Sequence, residues 1–241
     1  MKVDNLVWAN SIIQFKYPDW MGIDLRINQL IDKYLADDSV ALDVGCGKHG
    51  PLTDYKTRLK LLVGTDLGLE DLKYNTGVQS VAVANGEDLP FPSAAFDLLL
   101  SKTVIEHVLD PLRFFREAFR VLKPGGVFIW ATSNLRSLPI MISRLTPLGV
   151  HKWVYRRIFG KQLAIDQFPT YYRANTEKAL ERQLARAGFT SVAFHKASWP
   201  QYFAFSRLAF QLFLPLHQFN DRLGLDLLQV HLIGVYRKEM P

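Results

Sequence analysis

Short apolar runs recur along the first half of the chain, and most of them end at an acidic residue, a serine or a glycine. They predict five β-strands, at Val40–Val44, Leu61–Asp66, Val78–Ala84, Phe96–Ser101 and Val127–Thr132. Between the strands, apolar residues spaced three or four apart predict amphipathic helices, most clearly over 23–36 and 111–122. Strands that alternate with helices are typical of a mostly parallel, doubly wound α/β sheet.

This alternation breaks after the fifth strand. A long segment, 133–173, precedes a helix over 176–187 that we expect Thr176 to cap and Gly188 to end. Two more strands are predicted at Ser191–Ala197 and Leu228–Arg237. They lie roughly thirty residues apart, which is far more than a hairpin requires. The sequence therefore predicts a Rossmann-like, doubly wound, seven-stranded sheet with a helical lid formed by two insertions.

All of these parts are predicted to belong to a single domain. Its parts are a helical segment 1–39, a core 40–132, the lid insertions 133–173 and 199–227, and further core at 174–198 and 228–241. A chain of 241 residues with 49% hydrophobic residues is long and apolar enough for one such domain with a substantial core.

Composition excludes several further classes of protein. The single cysteine, Cys46, excludes a disulfide framework and a multi-cysteine zinc site, and we predict no metal. The N-terminus lacks the apolar run of a secretory signal, and no apolar run reaches the roughly 18 residues of a membrane span. A cytoplasmic protein is therefore expected. Its net charge of +6 favours acidic partners without choosing among them.

The stretch Leu42–Gly50, reading LDVGCGKHG, contains the first predicted strand's end and a glycine-rich turn. Glycine has no side chain, so such a turn lets backbone N–H groups approach a nucleotide-like ligand closely. The same glycines fit G-x-G-x-x-G, the dinucleotide fingerprint, which alone is weak support for a nicotinamide cofactor.

Two acids bear on this choice of ligand. Asp43, two positions before the first glycine, favours S-adenosylmethionine (SAM), because a carboxylate suits the ammonium group of its methionine part. A dinucleotide site instead places pyrophosphate at the helix N-terminus, where a nearby acid would repel it. Asp66, at the end of the second strand, suits a ribose in either case. A nicotinamide-dependent enzyme therefore stays open as the weakest alternative.

Two further segments, GEDLPFPSAAFDLLLS and IEHVLDPLRFFREAFRVLKPGGVFIWAT, join LDVGCGKHG in pointing to one family. Together the three resemble the type-11 class I SAM-dependent methyltransferases, which include quinone, sterol and small-molecule enzymes. The resemblance covers residues 40–132 closely and 174–198 loosely. It implies SAM as the cofactor and S-adenosyl-L-homocysteine as its product.

The resemblance also implies which residues bind this cofactor. They are Asp43, Gly45, Gly47, Asp66, Leu67, Asn85, Gly86, Glu87 and Ser101. The glycine-rich turn would hold the methionine end, Asp66 the ribose hydroxyls, and the segment around Asn85 the adenine. The family usually has an acid where Asn85 stands, although an amide oxygen can still accept a hydrogen bond. The third glycine, Gly50, also stands later than in the common family pattern.

Methyl transfer needs a base only when the acceptor must lose a proton. His107, in VIEHVLD after the fourth strand, is the candidate base, or else a helix-terminal histidine that contacts water or backbone. For Glu106 we favour a charge in the first helical turn. The candidate substrate-binding residues, Tyr171, Tyr172 and Arg173 in PTYYRANT, would orient an acceptor or pack under the lid.

The insertions provide the remaining clue to the acceptor. Residues 136–161 mix six basic residues with aromatic and aliphatic ones and contain no acid, and Arg207 is the only charge in the aromatic-rich segment 199–219. Such mixtures suit an anionic membrane surface or a large apolar pocket. A lid packed on the sheet or on a second subunit is the alternative.

We therefore expect O-methylation of a small-molecule or lipid-linked acceptor, with peripheral association to an anionic membrane. Motifs typical of base-methylating and protein-methylating enzymes are missing, which disfavours nucleic acid. Two alternatives stay open. An RNA methyltransferase would use the basic charge and base-stacking aromatic residues, and a non-catalytic protein would bind SAM only as a ligand.

Overall fold

The computed structural model describes residues 3–145 and 168–240, with the side chains of Val3 and Asp4 excepted. Seven strands form one sheet: β1 (Ser39–Val44), β2 (Leu59–Asp66), β3 (Ser80–Val83), β4 (Phe96–Lys102), β5 (Leu122–Ser133), β6 (Thr190–Ala197) and β7 (His231–Arg237). Their order is β3-β2-β1-β4-β5-β7-β6. The neighbouring pairs from β3 to β5 are all parallel. The predicted seven-stranded Rossmann-like sheet is confirmed, whereas the helical lid stays a prediction.

The central strands form because their side chains are apolar on both faces. Leu42 on β1, Leu62 on β2 and Leu99 on β4 are fully buried. A strand covered by helices on both sides reads as an almost continuous hydrophobic run, which is why these strands were recognisable from sequence. β3 stands at the edge of the sheet, and its Val81 and Val83 are exposed.

Helices occupy most of the connections. They are α1 (Val3–Lys16), α2 (Ile23–Tyr34), α3 (Leu69–Lys73), α4 (Pro111–Val121), α5 (Leu138–Leu145), α6 (Glu177–Ala187) and α7 (Arg207–Arg222). Helix α6 begins and ends as predicted: the Thr176 side chain accepts a hydrogen bond from the Ala179 N–H, and Gly188 is left-handed with a φ of 102°.

In the sequence, the proline and glycines of Lys123–Gly126 predict a turn that ends the preceding helix. Helix α4 does end before it, but the segment already belongs to β5, which begins at Leu122 rather than at Val127. The pairing register with β4 shifts there. Backbone bonds hold this irregular part, since the Gly125 N–H donates to the Lys238 carbonyl at 2.7 Å. Likewise, β7 begins at His231 because a short 3-10 turn occupies Asp226–Leu228.

The chain divides into two compact units. The core unit, formed by Ile23–Ser133, Thr170–His195 and Leu232–Pro241, contains most of the sheet. The helical unit is formed by Met1–Gly22, Asn134–Pro169 and Lys196–His231. The single-domain boundaries drawn from the sequence stay a prediction.

The helical unit has a small hydrophobic core of its own. Ala9 and Ile13 of α1 pack with Phe210 and Leu214 of α7, and Trp8 meets the Phe210 ring edge-on at 5.5 Å between centroids. Four predicted basic residues of the first insertion lie outside the described residues: Lys152, Arg156, Arg157 and Lys161. Throughout the described part of the chain, no helix is long and apolar enough to cross a membrane.

Gly234 of β7 allows the close approach of Trp130, which is fully buried on β5. A Cβ at position 234 would lie 2.3 Å from the Trp130 ring. We expect Gly234→Ala to lower the free energy of unfolding by about 1–3 kcal/mol, because the overpacked ring must shift. Denaturant unfolding of the variant measures this loss.

The smaller ring of Trp130→Phe should relieve part of the clash. The alanine is then expected to cost less in the phenylalanine background than in the wild type. Equal costs in both backgrounds would show that the strain does not arise from this contact.

Candidate functional site

The predicted cofactor-binding residues gather where parallel strands end. In the register of the sheet, Val44 at the end of β1 lies opposite both Thr65 of β2 and Ser101 of β4. The glycine-rich turn after β1, Asp66 at the end of β2 and Ser101 therefore share one edge of the sheet. Ligands of open α/β sheets bind at this carboxyl edge.

The glycine-rich turn has a backbone that favours glycine. Gly45 and Gly47 have φ angles of 77° and 49°, in the left-handed region. The Gly45 N–H donates to the Thr65 carbonyl at 2.7 Å, and the Cys46 N–H donates to the same oxygen at 3.0 Å. A Cβ at Gly45 would lie 2.1 Å from the Val104 side chain. The turn is thus fixed against β2 and leaves no space for a larger residue at its start.

Cys46 lies buried within this turn. A Cβ at Gly64 of β2 would approach its sulfur to 2.6 Å. Burial, with smaller effects from Asp43 and Asp66, raises the pKa of the Cys46 thiol to about 12. The thiol therefore stays protonated, and Cys46 packs as a small apolar residue.

Asp43 is a buried carboxyl group inside the site. Its side chain is 1% exposed, and a Cβ at Gly50 would lie 2.0 Å from its Oδ2. Among the described residues, neither oxygen accepts a hydrogen bond of normal geometry. Burial raises the pKa of Asp43 to about 7, although the Leu52 backbone N–H and Lys102 lower it by smaller amounts. A carboxyl group in this state fits a ligand that brings a positive charge.

Asp66 connects the glycine-rich turn to the end of β2. Its Oδ2 accepts from the Gly47 N–H at 3.0 Å and its Oδ1 from the Gly68 N–H at 2.8 Å. Each carboxylate oxygen retains a lone pair, so ribose hydroxyls can still be bound. The next residue, Leu67, is 55% exposed, as a residue that covers an adenine ring would be before the ligand arrives.

The segment around Asn85 forms a tight turn of its own. Asn85 Oδ1 accepts from the Glu87 N–H at 3.0 Å. The Glu87 carboxylate accepts from the Leu109 N–H at 2.8 Å and from the Asp110 N–H at 3.2 Å. Asn85 and Glu87 thus stabilise loops, and Asn85 has one lone pair left for a ligand.

Gly86 lies between them in close contact with α4. A Cβ there would lie 2.6 Å from the Phe114 ring. Ser101 is fully buried, and its Oγ has no hydrogen-bond partner among the described residues. The structure therefore places every predicted cofactor residue at the carboxyl edge or in a loop that follows it. Their individual roles stay predictions.

Glu106 is buried beside the end of β5. It is therefore more than the charge in a first helical turn that the sequence favours. Its carboxylate accepts from Thr132 Oγ1 at 2.7 Å and from Ser133 Oγ at 3.0 Å. The Asn175 amide donates to Thr132 Oγ1 at 2.7 Å. Burial raises the pKa of Glu106, and these hydrogen bonds oppose the rise.

Two of the predicted substrate-binding residues are hydrogen-bonded to Glu106. The N–H groups of Tyr171 and Tyr172 both donate to the Glu106 carbonyl, at 2.7 and 3.1 Å. His107 is the next residue after Glu106, at the end of a short 3-10 turn. The backbone of Tyr171 and Tyr172 therefore lies next to the backbone of His107, the candidate base. Tyr172 has a φ of 52°, an unusual value for a tyrosine.

Arg173 lines an open surface depression of about 630 Å³, together with Leu109, Asp110, Pro111 and Gln183. Across residues 3–145 and 168–240, no group of three or more His, Cys, Asp or Glu side chains is placed to hold a metal ion.

Sequence reasoning missed two residues that hold the site together. The Asn75 amide donates to the Gly47 carbonyl at 2.8 Å, and its Oδ1 accepts from the Gly77 N–H at 2.9 Å. Asn175 reaches Thr132, as described above. Both asparagines lie in loops, where a polar residue carries no signal that separates a clamp from a solvated side chain.

Comparison with known proteins agrees with this geometry. Residues 42–130 match a family model described as "Methyltransferase domain". Over this segment the match supports the predicted family, and with it SAM as the predicted cofactor.

Two relatives and one solved structure illustrate the similarity. A probable S-adenosylmethionine-dependent methyltransferase of Mycolicibacterium smegmatis is 48% identical over 111 residues, covering 45% of this chain and 42% of the relative. A ubiquinone biosynthesis O-methyltransferase of Caulobacter vibrioides is 34% identical over 131 residues, covering 46% and 51%. The chain thus spans about half the length of the curated relatives it matches.

The solved structure is a SAM-dependent methyltransferase from Methanosarcina mazei. It superposes with a TM-score of 0.56 at 21% identity, covering 88% of this chain and 98% of that one. At this identity the similarity shows the fold alone.

Asp43→Asn is expected to weaken SAM binding at least about tenfold near pH 8, because it removes the carboxylate that meets the ammonium group. The wild-type affinity should rise as Asp43 ionises around its pKa of about 7, and the variant should lack this rise. The rise should end near pH 8, where the ligand's own α-amino group loses its proton. Calorimetric titration with SAM across this range measures both effects.

Thermal unfolding without ligand separates lost binding from a damaged fold. Folding raises the pKa of Asp43 from 3.8 to about 7, so ionisation destabilises the free protein as the pH rises through that range. Asp43→Asn should therefore be at least as stable as the wild type near pH 8. Asp54→Asn, at an exposed carboxylate, is the matched control. The same pH dependence of binding in Asp43→Asn and the wild type would contradict the proposed contact.

Proposed function

We propose that this chain is a SAM-dependent methyltransferase that acts on a small-molecule or lipid-like acceptor, with oxygen as the methylated atom. The observation that carries the proposal is the buried Asp43 carboxyl group, enclosed by Gly50 within the glycine-rich turn. When bound, SAM supplies a methyl group on a positively charged sulfur and leaves as S-adenosyl-L-homocysteine. The protein's own contribution is to bind, align and exclude water.

Within this proposal, the glycine-rich turn and Asp43 hold the methionine end of the cofactor. Asp66 binds the ribose hydroxyls, and Leu67 packs against the adenine. Gly86, with the loop-stabilising Asn85 and Glu87, forms the rest of the adenine pocket. Ser101, the last residue but one of β4, is proposed to lie beside the point where the methyl group meets the acceptor.

His107 is proposed to take the proton that an acceptor hydroxyl loses as it is methylated. An oxygen acceptor is supported by the name of the Caulobacter relative, an O-methyltransferase in ubiquinone biosynthesis. Glu106 acts as a positioning residue: its carbonyl holds Tyr171 and Tyr172, and its carboxylate is fixed by Thr132 and Ser133. Tyr171, Tyr172 and Arg173 would orient the acceptor.

The first experiment identifies the acceptor class. The protein is incubated with methyl-labelled SAM and a cell extract, and the products are partitioned between organic and aqueous phases. Label in the organic phase is expected, since the proposed acceptor is apolar. Label confined to the aqueous phase would contradict a lipid-like acceptor. Ribonuclease-sensitive label there would instead favour an RNA methyltransferase, and SAM binding without any labelled product would favour a non-catalytic role.

His107→Gln tests the proposed base once an acceptor is known. Loss of a general base should lower kcat by about 10²–10⁴, while the dissociation constant of SAM stays unchanged. A variant with wild-type kcat would exclude His107 as the base.

A further inference from the structure

Helix α7 of the helical unit presents an apolar stripe to solvent. Its members are 52–68% exposed: Leu208, Leu212, Leu216, Phe219 and Leu223. They are spaced four, four, three and four residues apart, and Leu223 directly follows the last helical residue. This spacing places all five on one side of the helix. Hereafter we call these five residues the α7 stripe.

The α7 stripe is separate from the face that packs the helix into its unit. Phe210, Leu214 and His217 are buried on the opposite side, with Phe210 and Leu214 in the core shared with α1. A helix in a globular unit needs only one apolar face for packing. The second face therefore exposes large side chains that folding alone does not require, which is typical of an interaction surface.

The net charge of the protein is concentrated in the same unit. By sequence, the helical unit contains eleven Lys and Arg against five Asp and Glu. The core unit contains eighteen of each. In the helical unit, the described side chains contribute six Lys and Arg against three Asp and Glu, so the described part of that unit is itself basic.

Cations also lie at both ends of α7. Arg222 ends the helix, and Arg207 begins it with its guanidinium 5.2 Å from the centre of the Trp8 ring of α1; both arginines are exposed. The nearby acids are engaged within the unit: Asp221 accepts from Ser198 Oγ at 2.8 Å, and Asp226 pairs with Lys196 at 2.8 Å. The surroundings of the stripe therefore favour an anionic partner.

Helix α5 shows the same combination of exposed apolar and basic side chains. Both α5 and α7 contact the turn Asp226–Leu228. Arg144 is exposed on α5, and its exposed apolar residues are Leu138, Met141, Ile142 and Leu145. Apolar side chains next to cations are thus shared by two helices of the unit.

We propose that the α7 stripe binds the surface of an anionic lipid bilayer. The leucines and Phe219 would insert among the acyl chains near the headgroups, while Arg207 and Arg222 meet lipid phosphates. The helix would lie in the interface, since no described helix can span a bilayer. The proposal does not depend on methyl transfer, because its readout is lipid binding.

A bilayer fits the stripe better than two other partners. A second copy of the chain would bring like charges together at both ends of α7, which opposes association at low salt. RNA binding needs stacking rings, but four of the five stripe residues are leucines, which offer no face on which a base stacks.

Vesicle co-sedimentation of the full chain tests the proposal. We expect little binding to pure phosphatidylcholine vesicles and at least about tenfold stronger binding to equal parts phosphatidylcholine and phosphatidylglycerol. Added salt should weaken the binding without abolishing it, since the apolar contribution is not screened. Equal binding to both vesicle types, or none to either, would overturn the proposal.

The double variant Leu212→Glu with Leu216→Glu is expected to lose at least about tenfold in partitioning to the anionic vesicles. The matched control, Leu25→Glu with Met240→Glu, changes two exposed apolar residues of the core unit by the same charge and should bind as the wild type does. Circular dichroism and SAM titration verify that both variants are folded. Equal loss in both variants would show that binding follows net charge, not the stripe.

Analytical ultracentrifugation and RNA titration of the same proteins examine the other partners. A wild-type dimer that the Leu212→Glu, Leu216→Glu variant disrupts, without any change in vesicle binding, would assign the stripe to a second copy. Stripe-dependent binding to RNA but not to vesicles would likewise overturn the proposal. Vesicle binding that persists in a protein inactive in methyl transfer would support it, because lipid binding and catalysis are measured separately.

Discussion

The contact between Asp43 and Gly50 is the constraint on which the site depends. A carboxyl group enclosed at the end of a central strand is costly unless something polar or charged meets it. It can be enclosed only because position 50 lacks a side chain and because Gly45 and Gly47 adopt left-handed backbone. The turn and the acid are therefore one arrangement. A larger residue at Gly50 would need the carboxyl group to move.

A second buried acid, Glu106, joins two other parts of the core unit. Its carboxylate accepts from Thr132 and Ser133 at the end of β5, and its carbonyl accepts from the N–H groups of Tyr171 and Tyr172. Asn175 extends this network by one hydrogen bond. Paired members of a buried polar network rigidify their surroundings, as the Glu106 oxygens do, although Asn175 Oδ1 has no partner among the described residues. Asp43 is thus a buried acid without a hydrogen-bond partner among the described residues, whereas the partners of Glu106 are already present.

The accuracy of the sequence-based predictions depended on how deeply each element is buried. β1, β2 and β4 were predicted within two residues at each end, because strands covered on both faces consist of continuous apolar runs. The edge strand β3 was predicted too long, because the apolar Val78 and Ala84 that flank it continue its hydrophobic pattern in the sequence. The segment Lys123–Gly126 was assigned to a turn because glycine and proline dominate local signals, whereas its pairing with Lys238 is set by residues far along the chain. Asn75 and Asn175 were missed because a hydrogen bond between distant loops leaves no local pattern.

Cys46 gives the glycine-rich turn an internal reporter. Its thiol is the only one in the chain, and burial beneath Gly64 keeps it protonated and out of reach of solvent. Thiol reagents attack the thiolate, so modification must wait until the turn opens. The rate of labelling therefore measures how often the turn opens, and a ligand that closes on the turn would slow it. A residue without a role in the chemistry thus reports the opening of the glycine-rich turn through the rate of a single labelling reaction.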